Sequence, residues 1–444
     1  MNKISELALF GGTKAVLSDT GNIFKWPIIT KDDEDSVLDV LRNGSMSGTN
    51  VTMRFEKEFA EWQGVKYALG CNNGTAALHS AMFGCRVGVG DEVICPSITY
   101  WASAAPTLSL GATPVFCDIK PDTLCIDSKD IEHRITEKTK AILVVHYLGH
   151  PADMDPIMEI AERHGLKVIE DVSHAQGGLY KGRKLGSIGH VAGISLMSGK
   201  SFAVGEGGIL CTDDVEIYER AIAFGHYERF NGNLATRELM PFAGMPMGGY
   251  KYRMHQMSSA VGCAQLKHYD SRSEEIRKSM NYFWDLLEGV PGLRAHRTPS
   301  GSNSNMGGWY APHGFYAADE LEGLSITRFT EAVRAEGVAE CIPGCNIPLH
   351  LHPLFKTCDV YGDGKPTRIA HSKSDVREGD MTLPVSERIG ASVYSIPWFK
   401  HYRPEIIKEF ALAFRKVSYN FRELMKDDSG NPEHIGGWSF YKHG

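Results

Sequence analysis

Six short apolar runs between residues 92 and 212 alternate with segments long enough to form helices, and this alternation constrains the fold more than any other property of the chain. The runs are 92–95, 113–118, 141–146, 166–170, 191–196 and 208–212; segments 100–110, 127–135 and 155–163 separate them. Upstream, 32–41 and 54–62 read as amphipathic helices, and 74–84 as a helix opened by Asn73-Gly74-Thr75. Strands alternating with helices predict βαβ units, and such units assemble a mainly parallel sheet covered on both faces. The expected class is α/β.

Glycine and methionine gather between 224 and 254, which reads as a long loop. Loops of this length in a compact domain are usually functional. A helical stretch at 255–287 follows, and the remainder mixes short strands and helices, as in a smaller α+β unit. The expected division is 1–270 for a large domain and 271–444 for a small one, with 300–306 as an exposed loop.

Composition removes several classes of function. No apolar run approaches the ~20 residues of a membrane-spanning helix, and the first residues lack the apolar core of a secretory signal. Forty-seven Lys and Arg against 54 Asp and Glu give a formal net charge of −7 with no basic stretch, which argues against nucleic acid or an anionic membrane as partner. Ten cysteines without a C-x-x-C pair read as the reduced thiols of a cytoplasmic protein. Cys341, Cys345, His350, His352 and Cys358 lie close together, but their spacing fits no common structural-zinc pattern, so no metal is expected. Gly88 and Gly90 precede a strand rather than follow one, which argues against a nicotinamide site.

Three local features carry chemistry. Lys200 follows the apolar strand 191–196, with Ser195 just before it and Glu206-Gly207-Gly208 soon after; the carboxyl end of a parallel strand is where open α/β sheets bind ligands. The run LKVIED ends in two carboxylates, of which Asp171 is the last, and a carboxylate at a buried strand end requires a cation, a helix N-terminus or a cofactor nitrogen. Asn73-Gly74-Thr75 offers a helix start for phosphate. Together they suit pyridoxal 5′-phosphate: a lysine for the Schiff base, an aspartate to keep the pyridine nitrogen protonated, and backbone N–H groups for phosphate.

The chain resembles the DegT/StrS-type sugar aminotransferases, a fold-type I pyridoxal-phosphate family. The resemblance rests on GTAAL (74–78), GDEVICPSITYWAS (90–103), VIEDVSHAQGG (168–178), GRKLGSIGHVAGISLMSGK (182–200), GEGGIL (205–210), GYKYRMHQMSSAVGCAQL (249–266), PLHLHP (348–353) and LPVSERIGASVYSIP (383–397), in family order. It implies a seven-stranded-type sheet sandwiched by helices, a smaller C-terminal α+β domain, and a homodimer with shared active sites. The implied reaction is transfer of an amino group from glutamate or glutamine to a keto-sugar or keto-cyclitol.

Roles follow position by position. Lys200 matches the Schiff-base lysine that also shuttles the proton, and Asp171 the partner of the pyridine nitrogen. His174 falls near the cofactor's phenolic oxygen, Gly74, Thr75 and Ser195 match the phosphate cradle, and Tyr100 takes the aromatic slot over the ring. Lys251 replaces the family's asparagine in the segment that reaches the partner's phosphate. His350, in the PLH motif, with Tyr252 and Trp309, is a candidate for substrate contact; Tyr310 and His313 are further sugar-stacking candidates. Segments 225–247 and 301–310 and the tail exceed the family's length and are expected to shape the acceptor pocket. LALFGGTKAV near the start and PLHLHPLF lean toward the aminocyclitol (scyllo-inosose) branch. Lysine at 200 argues against the family's dehydratase branch. The remaining alternative is a regulator that binds cofactor or sugar without catalysis.

Overall fold

The structure is a computed structural model that describes residues 6–231, 234–359, 362 and 381–437. Seven strands form one sheet: β1 (Tyr67–Cys71), β2 (Glu92–Pro96), β3 (Thr113–Cys117), β4 (Thr139–Val145), β5 (Lys167–Asp171), β6 (Val191–Ser195) and β7 (Gly208–Thr212). Their order is β1-β7-β6-β5-β4-β2-β3. Pairings from β6 through β5, β4 and β2 to β3 are parallel, and β7 runs antiparallel to both its neighbours. The six expected strands are all present; β1 is the addition. Central strands β4 and β5 are almost wholly buried, as a sheet covered on both faces requires.

Helix α1 (Gly74–Gly84) follows β1 and is buried along nearly its whole length. Asn73 caps it, accepting a 2.8 Å hydrogen bond from the N–H of Ala76. The cap leaves the N–H groups at the helix start directed toward the carboxyl edge of the sheet. Gly74 is required there, because a Cβ would lie 2.6 Å from Cβ of Ser195.

The expected helix at 100–110 is broken into a 3₁₀ turn, Trp101–Ser103, and a short helix, Pro106–Ser109. Proline lacks the N–H that a continuous helix needs but is preorganised to start one. Segment 300–306 is exposed at 300, 301 and 303 as expected but is tied down at its end, where Asn305 pairs with Leu179 through two backbone bonds of 3.0 and 3.2 Å and Met306 is buried. Among the described residues of 226–255, the helical elements are two 3₁₀ turns, Tyr227–Arg229 and Arg237–Phe242.

Helix α2 (Gln256–Leu286) joins two apolar cores. Residues through Tyr269 belong to the core of the large sheet; from Ile276 they join a second core with Phe329, Tyr394 and Phe410. That second core lies against a three-stranded antiparallel sheet, Leu293–Ala295, His313–Tyr316 and Val393–Ser395. We propose that the chain divides inside α2, near the expected residue 270. The N-terminal segment belongs with the second core, not with the large sheet: Leu7, Ala15 and Ile23 pack there. Glu336 ties it down, accepting from the N–H groups of Ala8 and Ala15 at 2.8 and 2.9 Å and from Lys416 Nζ at 2.8 Å. Among the described residues no helix is long and apolar enough to cross a membrane.

Candidate active site

A cavity of about 790 Å³ opens at the carboxyl ends of β1, β2, β4, β5 and β6. Asp171 ends β5 and is buried; Oδ2 accepts from Ser103 Oγ at 2.7 Å and Oδ1 from the N–H of Ser173 at 3.0 Å. Both donors are neutral. Ser103 Oγ lies 3.0 Å from Thr99 Oγ1, so the broken helix supplies the hydroxyls that orient the carboxyl.

Lys200 stands on the turn after β6, its N–H donating to the Met197 carbonyl at 2.8 Å and its own carbonyl accepting from the Trp26 indole at 3.0 Å. Only 7% of the residue is exposed. Burial pushes its pKa down to about 8, against the opposing pull of the Asp171 charge. Nζ sits 3.9 Å from the ring centroid of Tyr310, and that ring is 4.6 Å from His174. Desolvation first, then the charges of Lys200 and His313, holds His174 well below the usual imidazole range. Its Nδ1 accepts from the N–H of Leu148 at 3.3 Å. The site therefore pairs a desolvated amine with a neutral imidazole and a buried carboxyl group.

The opposite wall is the start of α1, where Asn73, Gly74 and Thr75 line the cavity with Ser195. Ser195 is anchored through its N–H to Ser173 Oγ at 2.9 Å, and its carbonyl accepts from Gln176 Nε2 at 2.7 Å. A helix start flanked by hydroxyls is an anion site in waiting.

The sequence profile described as the DegT/DnrJ/EryC1/StrS aminotransferase family matches residues 27–411. The chain belongs to that family. The aminotransferase is 34% identical over 364 residues to GDP-perosamine synthase of Caulobacter vibrioides, covering 79% of this chain and 94% of that protein. It is 30% identical over 437 residues to L-glutamine:scyllo-inosose aminotransferase of Streptomyces griseus, covering 95% of this chain and all of the other. Its fold matches the aminotransferase of Psychrobacter cryohalolentis with a TM-score of 0.78 at 28% identity, over 90% of this chain and all of that one. A second solved relative is DesI, crystallised with its TDP-sugar product: TM-score 0.76, 25% identity, 96% and 99% coverage. The expected fold-type I architecture is thus confirmed, and the protein is a pyridoxal-phosphate-dependent aminotransferase.

The aminotransferase's own residues fit that cofactor. An amine with a lowered pKa, a carboxyl group held by two neutral donors and a glycine-opened helix start all line one cavity. Tyr100 and His174 line it as well. Lys251, by contrast, is exposed and does not line the cavity.

The three substrate-contact candidates lie elsewhere. Tyr252 is outside the lining, its hydroxyl 2.9 Å from His79 Nδ1. Trp309 is buried in the second core. His350 is held between Ser97 Oγ at 2.7 Å and Glu387 Oε1 at 3.2 Å, also off the cavity. Tyr310 and His313 do line it. Of the extra segments, the described residues of 225–247 do not line the cavity, whereas Tyr310 and the tail residues Gly436 and Gly437 do. Thr99, Ser103 and Ser173 were missed; two hydroxyls four residues apart beside Tyr100-Trp101 were the available signal for the first pair.

Proposed function

We propose that this aminotransferase moves an amino group from glutamine or glutamate to the ketone of a cyclitol or sugar, as a cytoplasmic homodimer with shared sites. The observation that carries the reading is the desolvated Lys200 amine facing a cavity that it shares with buried Asp171 and the start of α1. Near-full-length likeness to a glutamine:scyllo-inosose aminotransferase supports the cyclitol over the nucleotide-linked sugar.

Asp171 and Lys200 would hold the cofactor's pyridine nitrogen and carbonyl carbon, and Gly74, Thr75 and Ser195 its phosphate. When bound, pyridoxal phosphate supplies an electron sink and a carrier for the amino group. The chain does the rest. With a pKa of about 8, Lys200 Nζ reaches its neutral form much closer to neutral pH than an ordinary lysine does, which suits it to accept and return a proton. Neutral His174 offers a hydrogen bond without competing for that proton. Tyr100 is proposed to cover the ring, and exposed Lys251 to serve the partner's phosphate as a point charge.

The decisive experiment mixes purified holoenzyme with L-glutamine or L-glutamate, then with scyllo-inosose. The reading expects the donor to bleach the visible band of the lysine-bound cofactor, and the ketone to restore it. Cofactor binding with no amino transfer from any donor would leave the non-catalytic regulator in its place.

A further inference from the structure

The wall of the cavity that faces the sheet edge is made partly by the chain's last described residues. Gly437 pairs with Asn346 in a short parallel bridge, and its N–H donates to the Cys345 carbonyl at 3.2 Å. The seating is close enough to need glycine on both sides. A Cβ on Gly436 would lie 2.2 Å from the Cys345 carbonyl oxygen, and its φ of +113° already disfavours any side chain. A Cβ on Gly344 would lie 2.6 Å from N of Gly436, and one on Gly390 2.5 Å from O of Ile435. Asn346 continues the contact inward, its Oδ1 accepting from Tyr147 Oη at 2.6 Å, and the Tyr147 ring is 5.6 Å from His174.

This segment lies beyond residue 411, where the family match ends. The groups proposed to hold the cofactor come from the strand ends and the start of α1. Space between them and the tail is therefore the space left for the reacting substrate. Its tail-side wall is uncharged: Pro343, Cys345, Asn346, Ser395, Gly436 and Gly437. Charged side chains in the described lining are Asp171, Lys200 and Glu206, and no arginine contributes. Neutral donors and acceptors like those of the tail-side wall satisfy hydroxyl groups.

We propose that Gly436 and Gly437 wall the acceptor half of the cavity and fit it to the hydroxyl groups of a compact polyol ketone. This rests on the transamination proposed above. Gly437→Leu is the sharpest probe, since a Cβ there meets nothing within 4 Å and its φ is unstrained. The enlarged side chain is expected to raise KM for scyllo-inosose about tenfold or more, while L-glutamine still bleaches the holoenzyme at close to the wild-type rate. A second variant ending after Pro432 keeps the Asp428 and Asn431 contacts to Ser325 and Thr327 and removes the wall without adding bulk. It too should raise KM for scyllo-inosose and spare donor bleaching. Both are compared with wild type using scyllo-inosose and a GDP-linked keto-sugar. Unchanged KM in both variants, or wild-type preference for the GDP-linked ketone, overturns the inference. Failure of both amino donors to bleach wild-type holoenzyme instead sinks the transamination reading itself.

Discussion

Ser103 Oγ donates a 2.7 Å hydrogen bond to Asp171 Oδ2, joining the broken helix after β2 to the end of β5. The bond exists because Pro106 interrupts the helix and leaves Ser103 on a turn. It fixes the carboxyl that we propose engages the cofactor nitrogen. Ser103→Ala should therefore weaken retention of pyridoxal phosphate about tenfold, in line with ~1.5–3 kcal/mol for a hydrogen bond to a charged group. Spectrophotometric titration of the apoprotein measures this. Wild-type affinity in the variant would mean the serine does not support the site.

Lys200 gives a pH signature. Burial lowers its pKa from the ordinary lysine value to about 8, so the amine is mostly protonated below that pH and mostly neutral above it. Only the neutral amine attacks a carbonyl carbon. The rate at which apoprotein captures pyridoxal phosphate should rise through pH 8 and level off above it. Stopped-flow absorbance across that range tests the sign. Lys200→Ala should abolish turnover and the visible band together.

Tyr310 covers Lys200 at 3.9 Å and lies edge-on to Trp398, with ring centroids 5.6 Å apart. Removing the ring in Tyr310→Ala opens that side of the amine to water. We expect kcat/KM for the acceptor to fall roughly tenfold, the scale of a buried aromatic contact, with Tyr310→Phe retaining most of it. Equal losses in both variants would shift the role from ring to hydroxyl.

His350 is predicted to matter for stability rather than substrate affinity. Its ring joins Ser97 to Glu387 across elements far apart in sequence. His350→Ala should lower the unfolding free energy by about 1–3 kcal/mol by stranding the buried Ser97 hydroxyl and leave acceptor KM unchanged. Denaturant melts and steady-state kinetics separate the two effects.

Glu336 anchors the N-terminal segment to the second core and is paired with Lys416. Glu336→Ala strips a buried acceptor from two N–H groups and one ammonium. A loss of about 3 kcal/mol is expected, read as a lower urea midpoint. A midpoint unchanged from wild type would contradict the anchoring role.

Much of this was legible in local sequence, because strand ends and helix starts carry their chemistry within a few residues. The apolar alternation placed six of seven strands; β1 was overlooked because Tyr67-Ala-Leu-Gly-Cys contains alanine and glycine, which are depleted in strands. Lys200, Asp171, Gly74 and Ser195 do line one cavity. Trp309 and Tyr310 show where reading along the chain stops working. They are adjacent, yet one is core and the other faces Lys200, a division imposed by positive φ at Trp309 and Ala311 (56° and 47°). His350 lies off the cavity for a related reason, since its partners at 97 and 387 are set by tertiary packing. The tail carried no motif at all; only its seating against 344–346 brings it to the cavity.

The position of Gly436 and Gly437 in the cavity wall also sets an order of events during synthesis. Domains emerge and fold from the N-terminal side, so the sheet, Lys200 and the start of α1 leave the ribosome long before residues 435–437. A nascent chain thus passes through a stage in which its reactive lysine is in place but its pocket stands open on one side. Closure comes only when the tail docks on Cys345 and Asn346. Completion of the pocket thereby waits for residues made long after Lys200.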